Sequence, residues 1–170
     1  MIADNIENWR LINDYNNYEI SSHGRVRNNQ TNRILKQSLR SGYFSVGLIK
    51  EGEIKRHDIH RMVSQAFIPN PNNLRCVDHK DNNKFNNHVN NLRWCSSQEN
   101  NMNRSKQQNT TSIYKGVYLN KNNKKWYAKI VYNNRQIHLG MFDDEIDAAR
   151  KYNEKALELF GEFSKLNIFT

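Results

Sequence analysis

Residues 77–100 read VDHKDNNKFNNHVNNLRWCSSQEN, and this segment decides how the chain is interpreted. Within it, Leu92–Cys95 has the apolar character of a short strand that follows an asparagine-rich loop. Residues 96–99 have the spacing of a capping box, with serine at the cap and glutamate three positions later, so we expect a helix to begin there. Asp78 and His79 are neighbours, and in a hairpin bend their side chains can serve two atoms of one phosphate.

These residue types suit the hydrolysis of a phosphodiester. The reaction needs a base that takes a proton from water and a cation that offsets the charge building on the phosphate. A neutral imidazole such as that of His79 suits the first task near neutral pH. Oxygen ligands suit a hard divalent ion such as Mg²⁺, and Asn100, in the first turn of the expected helix, could offer its amide oxygen to the same ion.

Asp78-His79, Asn91 and Asn100, with Leu92-Arg93-Trp94 between the asparagines, resemble the HNH (His-Me finger) motif of phage intron-encoded homing endonucleases. In that family a strand hairpin and a helix hold one metal ion. The resemblance implies that His79 is the general base and that Asp78 and Asn100 ligate one Mg²⁺ or Mn²⁺ per chain. It also implies that Asn91 fixes the loop and orients the histidine. The last motif position is often histidine in the family and is Asn100 here.

The N-terminal part, residues 7–56, is predicted to form short strands. Phe44, Val46 and Leu48 alternate with smaller residues, as a half-buried strand requires, and Ser22-His23-Gly24 is a turn-like tripeptide. Several residues resemble NUMOD4, a small module that often precedes HNH units and would position DNA. They are Trp9, Ile12, Tyr15, Tyr18-Glu19-Ile20-Ser21, Gly24 and Val26.

A helix is predicted next, because apolar residues recur at helical spacing from Ile59 to Phe67. Asp58 could cap this helix, and Pro69 would end it. Arg61, on the helix, is a candidate for a DNA phosphate contact. Arg93, in the strand at Leu92–Cys95, is a second candidate, although it could equally be an ion-pair partner.

The C-terminal part, residues 113–169, is predicted to form three strands, at 115–119, 126–132 and 136–141, followed by a helix that begins near Asp143-Asp144. Residues 105–112 are polar and aperiodic and are predicted to be a linker. Residues 106–142 contain seven Lys or Arg and no Asp or Glu, so the sheet should be basic. The alternative is that these cations form a solvated face without a ligand.

Much of this part resembles an AP2 DNA-binding domain, notably Tyr114-Lys115-Gly116-Val117, Trp126-Tyr127-Ala128-Lys129-Ile130 and His138-Leu139-Gly140. That family lays a three-stranded sheet into the major groove of DNA. Tyr118 and His138 replace the Arg and Trp that are frequent in the family, so base preference does not transfer. Trp126 could instead pack on the helix. The positions that match the family's DNA contacts are Lys115, Tyr118, Lys125, Trp126, Lys129, Arg135 and His138.

The bulk composition restricts the partners. A net charge of +9 and a pI of about 9.6 favour a polyanion, and no apolar run is long enough to span a membrane. The two cysteines form no C-x-x-C pair, so no structural zinc is expected. Residues 1–5 carry no signal-peptide pattern, so we expect a cytoplasmic protein of a bacterial or viral host cell and not a secreted one.

These observations together predict an α+β protein that is built of small units. We expect the NUMOD4-like module at residues 7–56 and the ββα-metal HNH nuclease at 57–104. A linker, 105–112, should connect them to the AP2-like sheet and helix at 113–169. The expected activity is that of a homing-type endonuclease that nicks double-stranded DNA, acting as a monomer, and leaves a 5′-phosphate and a 3′-hydroxyl. One alternative is a non-cleaving DNA-binding regulator with a decayed HNH unit. Another is a protein that binds or cuts RNA, which should favour stacking of single-stranded bases.

Overall fold

A computed structural model describes residues 6–103 and 111–169, and this part of the chain contains eleven β-strands and three α-helices. The architecture is mixed α and β, with small antiparallel sheets, as the sequence predicts. The chain forms two compact units, residues 1–97 and 98–170. Residues 1–5, whose sequence shows no signal-peptide pattern, and most of the predicted linker lie outside the described residues. No helix within the described part is long and apolar enough to cross a bilayer.

The first unit begins with two antiparallel sheets of three strands each. The first sheet has the order β1-β2-β3, and the second has the order β4-β5-β6. Gly24 has φ +83°, a conformation that a side chain disfavours, and it provides the predicted turn between β2 and β3. The strands are β1 (Trp9–Ile12), β2 (Tyr15–Ser21), β3 (Val26–Asn28), β4 (Ser38–Arg40), β5 (Tyr43–Lys50) and β6 (Glu53–Asp58).

Helix α1 (Ile59–Phe67) follows β6 directly and has the predicted bounds. Asp58 occupies its N-cap position, but the Asp58 side chain makes no capping hydrogen bond, which corrects the expectation from the sequence. Asp58 is also the last residue of β6, paired with Ser45, so its backbone completes the strand. The helix stops before Pro69, because the residue that precedes a proline is driven to extended conformations.

A two-stranded hairpin completes this unit. β7 (Cys76–His79) pairs antiparallel with β8 (Leu92–Cys95), and a turn of 3-10 helix, Val89–Asn91, leads into β8. The Trp94 indole Nε1 donates to the Ile68 carbonyl at 3.0 Å, which ties β8 to the end of α1.

One apolar core unites the first unit. Ile20, Leu48, Ile59 and Val63 are completely buried in it, and Leu92 of the hairpin joins them. Segments 7–56 and 57–104, which are predicted as two units, therefore contribute to a single core. The small size of each segment explains the shared core, because a segment of about 50 residues buries too little surface to fold stably by itself.

The second unit contains a three-stranded antiparallel sheet of order β11-β10-β9 and a long helix, as the sequence predicts for residues 113–169. Helix α2 begins at the boundary between the units. The elements are α2 (Ser97–Met102), β9 (Val117–Asn120), β10 (Lys125–Tyr132), β11 (Arg135–Phe142) and α3 (Glu145–Phe160).

Two boundaries of the second unit differ from the prediction. β9 starts at Val117, not at 115, because Lys115 N donates to the Asn167 Oδ1 and Gly116 adopts φ +75°. Thr111 and Ser112, predicted as linker, belong to this unit. The Thr111 Oγ1 accepts from Leu119 N at 2.9 Å, and the Ser112 Oγ accepts from Tyr114 N at 2.9 Å.

Helix α3 is capped and packed as its sequence indicates. The Asp144 side chain accepts from the N–H groups of Ile146 and Asp147, so two of the free amides of the first turn are satisfied. Its apolar face packs on the sheet and buries Ala148, Ala149, Tyr152, Ala156 and Phe160. Gly161, with φ +51°, ends the helix.

Candidate active site

The β7–β8 hairpin brings Asp78 opposite Arg93 and His79 opposite Leu92. Asp78 and His79 are each only 5% exposed. A buried carboxylate is costly unless it is paired, and Arg93 supplies the pair, since its Nε and Nη2 donate to the Asp78 Oδ2 at 2.9 and 2.8 Å. Arg93 thus makes the ion pair that the sequence left open as one of its two roles, while a phosphate contact by Arg93 stays a prediction.

Asn87, in the loop that follows β7, makes a hydrogen bond to the imidazole of His79. The His79 Nε2 lies 3.1 Å from the Oδ1 of Asn87, which is itself buried. An amide oxygen only accepts hydrogen bonds, so Nε2 carries the proton and Nδ1 carries the lone pair. Burial lowers the pKa of His79, which keeps the ring neutral near pH 7. The side chain therefore has the protonation state that a general base requires.

Asn91 fixes the loop that follows β7. Its Nδ2 donates to the Asp81 Oδ1 at 2.9 Å and to the Asn86 carbonyl at 2.8 Å, and its Oδ1 accepts from Asp81 N. These contacts are compatible with the predicted role of Asn91 in fixing the loop, and that role stays a prediction. His79 is hydrogen-bonded to Asn87, which the sequence did not single out among the many asparagines of this loop, while a role of Asn91 in orienting His79 stays a prediction.

Aromatic side chains cover the histidine. The ring centroids of His60 and His79 are 5.3 Å apart, and the Tyr43 ring lies 4.8 Å from His60 and 6.2 Å from His79. Burial lowers the pKa of His60 to about 4, so this second imidazole is also neutral at pH 7. The Lys84 Nζ lies 4.7 Å above the Tyr43 ring and is a nearby cation.

Arg61, the residue of α1 that is predicted to contact a DNA phosphate, donates a hydrogen bond from Nη1 to the Arg75 carbonyl at 3.0 Å. Its contact with a phosphate stays a prediction.

The oxygen atoms that this site offers as ligands suit a hard divalent ion that binds only a few protein groups. No three of the described His, Cys, Asp and Glu residues lie together as a metal cluster. Mg²⁺ does not need such a cluster, because it keeps several waters and binds through one or two carboxylates together with substrate phosphate oxygens. Asp78 is the buried carboxylate that meets this need. Asn100 lies in α2, half-buried, in the second unit, and its role as a ligand stays a prediction from the sequence.

The second unit carries a separate aromatic and basic surface on the side of the sheet opposite α3. We call it the ring row: Tyr118, Tyr127 and His138, one from each strand. The Tyr118 and Tyr127 centroids are 5.4 Å apart, those of Tyr127 and His138 are 5.8 Å apart, and both pairs are stacked. The Lys129 Nζ lies 4.5 Å above the Tyr118 ring. Tyr127 was not among the predicted contact residues.

The other predicted DNA contacts differ in their surroundings. Trp126 packs against the core, which is the alternative that the sequence left open for it. The Lys115 Nζ donates to the Met102 carbonyl at 2.7 Å, and burial lowers its pKa to about 8. Lys125 is exposed and pairs with Asp143 at 3.0 Å, and Arg135 is exposed at the start of β11. Of the seven predicted residues, Tyr118, Lys129 and His138 lie together on the ring-row face.

Comparison with known proteins finds similarity to HNH endonucleases over part of the chain. Residues 7–49 match the NUMOD4 motif. An uncharacterized HNH endonuclease of Acanthamoeba polyphaga mimivirus is 40% identical over 95 residues, which are 56% of this chain and 29% of that protein. DNA endonuclease I-HmuI of Bacillus phage SP01 is 36% identical over 94 residues, which are 54% of each protein.

A solved structure of the HNH homing endonuclease I-HmuI, which concerns its binding and cleavage of DNA, matches with a TM-score of 0.52 and 36% identity. The match covers 56% of this chain and 56% of that one. The chain thus spans about half of I-HmuI and less than a third of the mimivirus protein. Over about half of its length the chain is similar to HNH endonucleases, homing endonucleases among them.

Proposed function

We propose that this chain is a metal-dependent, homing-type endonuclease that hydrolyses a phosphodiester bond of double-stranded DNA. The observation that carries the proposal is the buried Asp78–His79 pair on β7, in which the Asn87 hydrogen bond leaves the lone pair of His79 on Nδ1. The similarity to HNH endonucleases supports the same activity. A single site in one chain would cut one strand, so the product is nicked DNA.

In the proposed reaction the His79 Nδ1 takes a proton from a water molecule as the water oxygen attacks phosphorus. The bond from phosphorus to the 3′-oxygen breaks, and that oxygen takes a proton from solvent, which leaves a 5′-phosphate and a 3′-hydroxyl. Bound Mg²⁺ or Mn²⁺ would offset the negative charge on the phosphate and on the leaving oxygen. Asp78 would hold the ion, with Asn100 as the second predicted ligand.

Arg93 prepares the carboxylate for this task. Its two donors both engage the Asp78 Oδ2, so the position of that oxygen is held before a metal or DNA arrives. A preset ligand loses little entropy on binding, which favours a weakly held ion such as Mg²⁺. Arg93 is therefore a positioning residue in this scheme.

The second unit is proposed to supply DNA affinity as an AP2-like module. Its ring row places two phenols and an imidazole beside the Lys129 ammonium, and Lys121, Lys124 and Lys125 are exposed on the neighbouring turn and strand. Cations give sequence-independent attraction to phosphates, while hydroxyl and imidazole groups can bond to base edges. The NUMOD4 module, residues 7–49, is proposed to help place the DNA at the hairpin.

A supercoiled-plasmid assay tests the proposal. The protein is incubated with Mg²⁺ or Mn²⁺, and in parallel with EDTA, on a plasmid that carries the DNA flanking its own gene. We expect conversion to open circles that requires the metal ion. A plasmid that is bound tightly in a gel shift but never cut, with either ion, would instead identify a DNA-binding regulator.

A further inference from the structure

We infer that the N-terminal module positions the general base: the turn at residues 22–24 holds Asn87, and Asn87 holds the imidazole of His79. This inference rests on the proposed function only for the catalytic role of His79. It gives the NUMOD4 part of the chain a task inside the active site, in addition to any contact with DNA.

The turn touches three consecutive residues of the loop that follows the catalytic strand. A Cβ added to Gly24 would lie 2.8 Å from the Asn87 Cβ and 3.3 Å from the Asn87 carbonyl oxygen, so the Gly24 backbone sits directly on Asn87. Val89 N donates to the Ser22 carbonyl at 2.8 Å. The rings of His23 and His88 are 4.7 Å apart. The turn and the loop therefore pack as one piece.

Hydrogen bonds hold the turn itself in place. Gly24 N donates to the Ser21 carbonyl at 3.0 Å, and the Gln37 Nε2 donates to the Gly24 carbonyl at 2.7 Å. The buried Ser21 Oγ accepts from Arg25 N at 2.9 Å, and the Ser22 Oγ accepts from Asn8 N at 3.1 Å. Because the N–H and the C=O of Gly24 are both hydrogen-bonded, a side chain added there would displace Asn87 more readily than the turn.

Asn87 transmits this position to the base. Its Oδ1 is 3.1 Å from the His79 Nε2, and both side chains are buried, where a ring N–H needs an acceptor. The acceptor fixes the tautomer with the proton on Nε2 and the lone pair on Nδ1. If Asn87 moves, the other tautomer becomes accessible, and Nδ1 then carries a proton where the reaction needs a lone pair.

Two glycines allow a matched test. Gly24 and Gly52 have nearly the same φ, +83° and +81°, but a Cβ at Gly52 meets nothing within 4 Å. Both Gly24→Ala and Gly52→Ala place a side chain at a positive φ, but only the Cβ of Gly24→Ala presses on Asn87 and on the Ile59 Cγ2, at 3.2 Å. Asn87→Ala removes the acceptor, whereas Asn87→Asp retains an oxygen at its place.

The primary readout is the tautomer of His79, measured on the full chain by long-range nitrogen–proton NMR. We expect the Nε2–H form in the wild type, in Gly52→Ala and in Asn87→Asp, and a mixture or the Nδ1–H form in Gly24→Ala and Asn87→Ala. The single-turnover rate of cleavage should fall at least ~10-fold in the latter two variants, as is usual when the partner that orients an active-site ligand is lost. Gel-shift affinity for duplex DNA should not change.

The outcomes separate the two proposals. If Gly24→Ala has the same His79 tautomer and rate as Gly52→Ala, the inference is wrong. If the tautomers follow the expected pattern but not even the wild type cuts DNA, the positioning is correct and the proposed function fails. Should Gly24→Ala not fold, His23→Ala takes its place, because it deletes the ring packed on His88 and leaves Gly24 intact. An unchanged tautomer in that variant would likewise overturn the inference.

Discussion

Asp78 and Arg93 form a buried ion pair, and its contribution to the stability of the first unit requires both partners. Their side chains are 6% and 12% exposed. Removing one partner of a buried ion pair is strongly destabilising, so we expect Arg93→Ala to lower the free energy of unfolding of the first unit by about 3–5 kcal/mol. Lys55→Ala, which breaks an exposed pair with Glu53, is the control and should cost less than about 1 kcal/mol. Urea denaturation measures both, and equal losses would refute the argument.

Glu7 makes the stability of the first unit depend on pH in the acidic range. The hydrogen bond from Arg25 lowers the pKa of Glu7 from 4.5 to about 2 in the folded protein. Because the folded pKa lies below the unfolded one, the stabilisation is complete above about pH 4.5 and is lost as the pH falls towards 2. Glu7→Gln should therefore flatten the fall of the urea midpoint in this window. A variant that loses stability with acid as steeply as the wild type would contradict this assignment.

At the scale of elements, the close approach of β9 and α3 depends on Gly116. A Cβ there would lie 2.1 Å from the Tyr152 Cδ2, and φ is +75°. Gly116→Ala should destabilise the second unit by about 2–4 kcal/mol, from overpacking added to backbone strain. Gly161→Ala has positive φ but meets nothing within 4 Å, so it should cost only about 1 kcal/mol. Thermal unfolding of the two variants distinguishes them, and equal melting temperatures would show that the contact with Tyr152 is unimportant.

Elements with a strong period or a specific terminal residue were predictable from the sequence. Helix α1, strand β8 and the turn at Asn133-Asn134 follow from apolar spacing and from residues that tolerate positive φ; the two asparagines have φ +49° and +59°. Strand β4 gives no such signal, because all three of its residues are exposed. Asp58 shows a further limit, since a capping residue type does not cap when its backbone already ends a strand.

The candidate site was predictable from the sequence only where its residues stand at a characteristic spacing. Asp78, His79 and Asn91 stand at a recognisable spacing, and the structure brings them into one loop and hairpin. Asn87 carries no spacing signal within a run of asparagines, because its role depends on which one of them the fold turns towards His79. The shared core of residues 7–56 and 57–104 was equally hidden, since it depends on tertiary contacts across the segments.

At the scale of the whole molecule, the charge of +9 should make DNA binding strongly dependent on salt. If Lys129 of the ring-row face contacts a phosphate, Lys129→Ala should weaken binding and flatten the plot of log affinity against log salt by about one unit. Lys151→Ala is the control, because Lys151 pairs with Glu154 on α3 and should leave the slope unchanged. Titrations at several salt concentrations measure both slopes. A flattened slope in Lys151→Ala alone would place the DNA on the other side of this unit.

The measurement that bears most directly on the whole account is the single-turnover rate of DNA cleavage by the wild type and by His79→Ala, in Mg²⁺ and with the DNA bound to saturation. General-base catalysis contributes on the order of 10²–10⁴ in rate, so the account predicts a loss of that size in His79→Ala with unchanged affinity for the duplex. Cleavage by His79→Ala at the wild-type rate would contradict it, because the base would then lie elsewhere in the chain.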